Sequence, residues 1–183
     1  MSDKSIETIN DRYYTGERPL FNKSNLQINN TIFGEGESPL KESDNIELKN
    51  SSFRWKYPLW YSNNVTLENC VLFDTARSGI WYTHNIEINN SLIAAPKTFR
   101  RANNIRLNDV DMPNALETLW NCQDVVLNDV MAKGDYFAMN SKDFAYYDYY
   151  TSLARCRGAL SRKKYAQCFN VLKHHKKEVK DEL

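Results

Sequence analysis

The chain has 183 residues, with 24 basic and 23 acidic side chains and 42% hydrophobic residues. A single domain of this size buries roughly two thirds of the surface its unfolded chain exposes. The near balance of charge excludes a disordered polyelectrolyte and makes nucleic acid an unlikely partner. No run of about 18 apolar residues is present, which excludes a membrane-spanning helix.

The N-terminus, Met1-Ser2-Asp3-Lys4, lacks the apolar stretch of a secretory signal. The closing Lys180-Asp181-Glu182-Leu183 is therefore read as a charged, solvated terminus, because a retention signal is read only in a lumen. Cys70, Cys122, Cys156 and Cys168 contain no CxxC pair. Reduced thiols and a cytoplasmic location are expected.

Along the chain, one pattern recurs: Asn or Asp, apolar, any residue, apolar, any residue, Asn or Asp. It opens at Asn25, Asn45, Asn64, Asn85, Asn104 and Asp124, with spacings of 20, 19, 21, 19 and 20 residues, and more weakly at Asp143. Two apolar columns follow. The first is Leu26, Ile46, Val65, Ile86, Ile105, Val125 and Phe144, and the second is Ile28, Leu48, Leu67, Ile88, Leu107, Leu127 and Tyr146. Their period of two marks the inward face of a short strand in every copy. By the same period the next inward column is Asn30, Asn50, Asn69, Asn90, Asp109, Asp129 and Asp148. Stacked at the strand spacing of about 4.8 Å, these side chains are expected to form an interior hydrogen-bonded ladder. Asparagine occurs 21 times, 20 of them before Tyr149, an excess that argues against helix because Asn favours turns and caps.

Five residues before each opening Asn stands another apolar column: Leu20, Leu40, Leu59, Ile80, Phe99, Leu119 and Ala138. Small residues follow it at Ser43, Ser62, Thr83, Ala102, Cys122 and Ser141. Phe33, Phe53 and Phe73 indicate a third side in the early copies. A period near 20 with two or three short strands predicts an all-β solenoid, a single-stranded right-handed parallel β-helix of about seven coils. Leucine-rich repeats are disfavoured, because no segment between the copies has apolar spacing of three and four.

Beside the inward Leu column runs Phe21, Lys41, Trp60, Trp81, Arg100, Trp120 and Met139, followed by Asn22, Glu42, Tyr61, Tyr82, Arg101, Asn121 and Asn140. The cations in both columns argue for a solvent-facing stripe. Aromatic faces and guanidinium groups in one row suit a saccharide, so Trp60, Tyr61, Trp81, Tyr82, Arg100, Arg101 and Trp120 are the predicted ligand-binding residues. Two other readings stay open. The stripe could be a protein or self-association interface, or cross-strand packing alone.

Catalysis on the same face would need paired carboxylates or a base with a charge stabiliser. Glu117, Asp135 and Arg100 are the weak candidates. Glu42 and Glu117 stand about four turns, or roughly 19 Å, apart, too far to serve one bond. His84, the one histidine of the repeat, reads as a polar turn residue. No complete catalytic motif, metal site or cofactor motif is present. An enzyme acting on sugars is the second functional reading, and an assembly scaffold is the third.

The segments between the copies carry more specific motifs. These are Ser38-Pro39-Leu40-Lys41-Glu42-Ser43, Trp55-Lys56-Tyr57-Pro58-Leu59-Trp60-Tyr61-Ser62, Gly79-Ile80-Trp81-Tyr82-Thr83, Ala95-Pro96-Lys97-Thr98-Phe99-Arg100-Arg101, Glu117-Thr118-Leu119-Trp120-Asn121-Cys122 and Lys133-Gly134-Asp135-Tyr136-Phe137-Ala138-Met139-Asn140-Ser141. In this order, over about Thr15 to Lys142, they resemble a bacterial family, domain of unknown function 3737, of pectin-lyase-like right-handed β-helix character. The resemblance implies the fold and no reaction, substrate or catalytic residue. The clustered Asp pairs, or Asp calcium ligands beside an Arg base, of pectin-degrading β-helices are not matched here.

The repeat fades after Asp148, giving a boundary between a β-helix over 1–148 and a tail over 149–183. The tail carries nine Lys/Arg against three Asp/Glu, a net +6, while the first 148 residues carry 15 against 20, a net −5. Leu153, Cys156, Leu160, Cys168, Phe169 and Leu172 have helical spacing. The tail reads either as an amphipathic cap on the solenoid end or as the product of a disrupted or shifted frame. Cys156, Cys168, His174 and His175 do not have the spacing of a zinc site.

Overall fold

A computed structural model describes residues 5–151, with side chains through Ala145. The chain is a parallel β-solenoid of about seven turns, with no helix among the described residues. The first face consists of β1 (Glu7–Asn10), β3 (Ser24–Asn29), β5 (Asp44–Lys49) and β7 (Asn63–Glu68), continued by β10 (His84–Ile93), β12 (Asn103–Met112), β13 (Gln123–Ala132) and β14 (Lys142–Thr151). The second is opened by β2 (Tyr13–Tyr14), β4 (Ile32–Phe33), β6 (Ser52–Phe53) and β8 (Val71–Leu72). From β10 onward one ten-residue strand spans both faces, since β8 pairs with its second half through Val71↔Leu92 and Leu72↔Ile93. The third face holds the short pair β9 (Ile80–Trp81) and β11 (Phe99–Arg100).

The register places like residues on like residues. Leu26 pairs with Ile46, Ile46 with Val65, Val65 with Ile86 and Ile86 with Ile105, and the column two residues on follows suit. Both columns are buried, the first as far as Phe144 and the second as far as Leu127, as is the column from Leu20 to Ala138. The third interior column is Phe33, Phe53, Leu72, Ile93, Met112 and Ala132. Phe73, expected inside, is one residue out of phase and is 39% exposed. Because strand side chains alternate, Leu72 occupies the interior and Phe73 turns out to meet Arg54, whose guanidinium lies 5.4 Å from the ring centroid.

The interior asparagine ladder is corrected. Asn30, Asn50, Asn69, Asn90, Asp109 and Asp129 are all exposed. The period of two breaks at these positions, because each has left-handed backbone with φ between 46 and 51°. A left-handed residue turns the corner between the first and second faces, so the next residue, from Thr31 and Ser51 to Val110 and Val130, points inward instead. The bonds in this column are also intermittent. Asn69 Nδ2 donates to Asn50 Oδ1 at 2.6 Å, whereas Asn30 donates to Asp11 and Asn90 to Glu68.

Every coil turns at four such corners. Besides this column, the left-handed residues include the opening Asn25–Asp143 column, the Asn22–Asn140 column, and Arg18, Ser38, Tyr57, Ser78, Lys97, Glu117 and Tyr136. Asn and Asp accept this conformation more readily than other residues with a Cβ. Twelve asparagines occupy it, which accounts for much of the compositional excess. Glycine is required where loops stack: a Cβ on Gly36, φ 140°, would lie 2.0 Å from the Gly16 carbonyl oxygen.

Small corner residues satisfy buried backbone. Ser43 Oγ donates to Leu20 O, Ser62 Oγ to Leu40 O at 2.8 Å, Thr83 Oγ1 to Leu59 O and Ser141 Oγ to Leu119 O. A solenoid corner buries carbonyls that would otherwise lack a donor, which costs about 1–3 kcal/mol for each group left unmade.

β14 continues to Thr151, three residues past the expected boundary at 148. The remaining tail, including its helical reading and Cys156, Cys168, His174 and His175, lies outside the described residues.

Candidate functional site

The predicted stripe lies where the third face turns toward the first. Its second column, Asn22, Glu42, Tyr61, Tyr82, Arg101, Asn121 and Asn140, is left-handed throughout, with φ between 48 and 60°. The backbone is uniform: Glu42 N–H donates to Trp60 O, Tyr61 to Trp81 O, Tyr82 to Arg100 O and Arg101 to Trp120 O, at 2.8–3.0 Å. The outer coils fill this corner with asparagine. The coils between fill it with Glu42, Tyr61, Tyr82 and Arg101, which bear a left-handed cost of roughly 1–2 kcal/mol each.

The stacking of successive coils, through these corner bonds and the β9–β11 pair, brings the rings together in register. Trp60 and Trp81 are parallel, 5.3 Å apart with an interplanar angle of 8°. Tyr61 and Tyr82 stack at 4.7 Å and 4°. The Arg100 guanidinium is held between two indoles, 5.0 Å from the Trp81 centroid and 4.8 Å from that of Trp120. Arg101 lies 5.8 Å from the Tyr82 ring and Lys41 5.7 Å from Tyr61. Tyr57 covers Trp60 from another side at 4.4 Å. Two indole N–H groups are spent on backbone, Trp60 Nε1 donating to Ser78 O and Trp81 Nε1 to Lys97 O.

All seven predicted binding residues therefore belong to one continuous surface, but their chemistry differs from a row of open platforms. Faces of neighbouring rings lie against one another along the solenoid axis, at separations too small to admit a sugar ring. What the row offers outward is edges: the phenol ends of Tyr61, half exposed, and Tyr82, with the guanidinium groups of Arg100 and Arg101. Neither arginine has an ion pair among the described residues, whereas Lys41 pairs with Glu42 and Lys97 with Glu117.

The weak catalytic candidates are not assembled as acid and base. Glu117 lies 3.2 Å from Lys97 Nζ, and the Arg100 guanidinium lies between two indole rings with no carboxylate paired to it among the described residues. Asp135 is tied to the Glu117 position through backbone, Glu117 N–H donating to its carbonyl. His84 is exposed in the first-face sheet, paired in register with Asn63 and Asn103.

Burial pushes the Cys70 thiol up to about 11 and the Cys122 thiol up to about 12. Both are buried and free of disulfides, so neither offers a nucleophilic thiolate near neutral pH. Among the described residues no three His, Cys, Asp or Glu side chains form a metal-binding group.

A feature not anticipated from sequence is a groove of about 380 Å³ on the outer first face. The left-handed asparagines Asn25, Asn45, Asn64, Asn85 and Asn104 form one side. Gln27, Glu47, Thr66, Glu87 and Arg106 form the other. In sequence the second set carries only the polar half of an alternating strand. Its concavity arises from the left-handed kink at each opening Asn, which alternation does not encode.

The sequence profile of DUF3737, described as a protein of unknown function, matches residues 7–155. The chain belongs to this family. No curated protein matches this DUF3737 chain. Six solved chains match it. One is QnrB1, a plasmid-mediated fluoroquinolone resistance protein, at 9% identity over 92% of this chain and 96% of that chain, with a TM-score of 0.37. No described helix of the DUF3737 chain is long and apolar enough to cross a membrane.

Proposed function

We propose that this protein recognises a saccharide bearing carboxylate or sulfate groups, bound along the solenoid axis against the edges of the stripe. One observation carries the reading. At a corner that the first and the last two coils fill with asparagine, the coils between keep Glu42, Tyr61, Tyr82 and Arg101 in left-handed backbone. These four successive side chains set a carboxylate, two phenols and a guanidinium in one row along the axis, a set of polar groups suited to an extended ligand.

The ligand chemistry follows from the edges. Arg100 and Arg101 supply planar donor forks suited to carboxylate or sulfate, and tyrosine hydroxyls both donate and accept. The stacked rings fix these groups in advance, which lowers the ordering cost of binding. A cytoplasmic setting is part of the proposal, supported by two buried thiols that form no disulfide. Catalysis is not part of it.

The test is fluorescence titration with acidic and neutral oligosaccharides, since Trp60, Trp81 and Trp120 all report on the stripe. Acidic chains should bind, and Arg100→Ala should weaken them by about tenfold or more, as expected for a charge-assisted contact. Absence of binding by every acidic chain would refute the reading.

A second reading is favoured by the closed ring faces: a flat, rigid Tyr, Trp and Arg surface has the composition of a protein interface. A concentration-dependent oligomer that dissociates in Trp81→Ala, with no saccharide binding, would establish it.

A further inference from the structure

The groove on the first face differs from the stripe in shape, charge and composition. Its walls lie on β3, β5, β7, β10 and β12 and repeat once per turn. From Gln27 to Arg106 the lining runs four steps, about 19 Å at the strand spacing.

Its centre is a notch. Thr66 pairs in register with Glu47 on one side and Glu87 on the other, so the shortest side chain of that wall stands between two carboxylates whose Cα atoms are about 9.6 Å apart. Glu47 is held in place, accepting from Gln27 Nε2 at 2.8 Å and from Lys49 Nζ at 3.1 Å. Opposite the notch the asparagine row skips a step. Asn45 donates to Asn25 Oδ1, but the Asn64 amide turns to Asp44 Oδ1 at 3.0 Å, so Asn45 Oδ1 receives no donor among the described residues. Glu87 and Arg106 are register neighbours, yet they form no ion pair among the described residues.

We propose that this groove is a second binding site, for an extended neutral polyhydroxylated chain, that is, an oligosaccharide without acidic groups, lying along the axis. The lining presents amides that donate and accept, carboxylates that accept, a hydroxyl that does both and a guanidinium that donates. A chain of hydroxyls, each both donor and acceptor, matches that mixture without carrying charge. A polyanion is opposed by Glu47 and Glu87. An extended peptide gains affinity by pairing with a free sheet edge, and the strands under this groove are already paired on both sides. The inference does not rest on the stripe: the two surfaces lie on neighbouring faces and select ligands of different charge.

The experiment is calorimetric titration of the full chain with neutral linear hexasaccharides: β-1,4-glucan, β-1,4-mannan, β-1,4-xylan and α-1,4-glucan. At least one should bind. Thr66→Trp, which fills the notch from an outward strand position, should weaken it by about tenfold or more, the equivalent of one or two lost hydrogen bonds. Glu87→Ala, an exposed substitution, decides the matter in the same way if Thr66→Trp melts early. The proposal is overturned if none of the four binds, if binding tolerates the folded notch variant, or if binding survives Thr66→Trp and vanishes in Arg100→Ala, which would assign it to the stripe.

Discussion

Asparagine serves this chain in two ways at the level of single residues. It occupies left-handed corners that most side chains resist, and at some of them its amide bridges successive coils. Asn85 does both: with φ 54° it donates to Asn63 and Asn64 and accepts from Asn104 at 2.8 Å. The two contributions separate by substitution. Asn85→Gly keeps the conformation and loses the bonds, whereas Asn85→Ala loses both, so the Ala variant should be less stable than the Gly variant by about 1 kcal/mol. Chemical denaturation of both variants measures the difference. Equal stability would mean that the corner imposes no conformational demand.

Between elements, pairing in register converts one coil's sequence into columns, and most of those columns were legible in advance. Leu26 to Phe144 and Leu20 to Ala138 are interior, as their period and spacing require. The Asn30 column points outward and not inward because alternation assumes extended backbone, and a single left-handed residue reverses it. Phe73 lies outside for a different reason: the step from Phe53 is 19 residues and not 20, so Leu72 takes the interior position. The concavity of the groove was not legible either, since it depends on a kink within each first-face strand.

Interior placement of the thiols has a consequence for pH. Burial holds Cys70 and Cys122 above their ordinary value of about 9, to about 11 and 12. A group whose folded value is raised favours the folded state below the unfolded value, and that contribution is lost as pH rises through the folded one. Stability should therefore fall between about pH 9 and 12. Replacing both cysteines by alanine should flatten that fall in thermal melts, and an unchanged slope would assign it to other groups.

Taken whole, the described residues form a solenoid whose surface rows run along the axis at one residue per turn, which suits a long ligand better than a compact one. The saccharide expectation came from seven residues in two columns. The structure brings all seven to one surface, but it closes their ring faces against each other and leaves edges and guanidinium groups outward. Sequence spacing conveyed the proximity. It could not convey ring orientation, which follows from parallel pairing of identical side chains along the axis.

On the proposed reading, Tyr61 and Tyr82 are kept at their corner for recognition and not for the fold. The double substitution Tyr61→Asn, Tyr82→Asn restores the residue used at the outer coils. Relief of left-handed strain, roughly 1–2 kcal/mol per residue, should offset a lost stacking contact of about 0.5–1.5 kcal/mol. Thermal melting and titration with acidic oligosaccharides, made on the same double variant, form the most direct measurement. The expected result is a melting temperature at or above that of the unaltered chain together with lost saccharide binding. A large drop in melting temperature with affinity preserved would show that the two tyrosines serve the fold and not recognition.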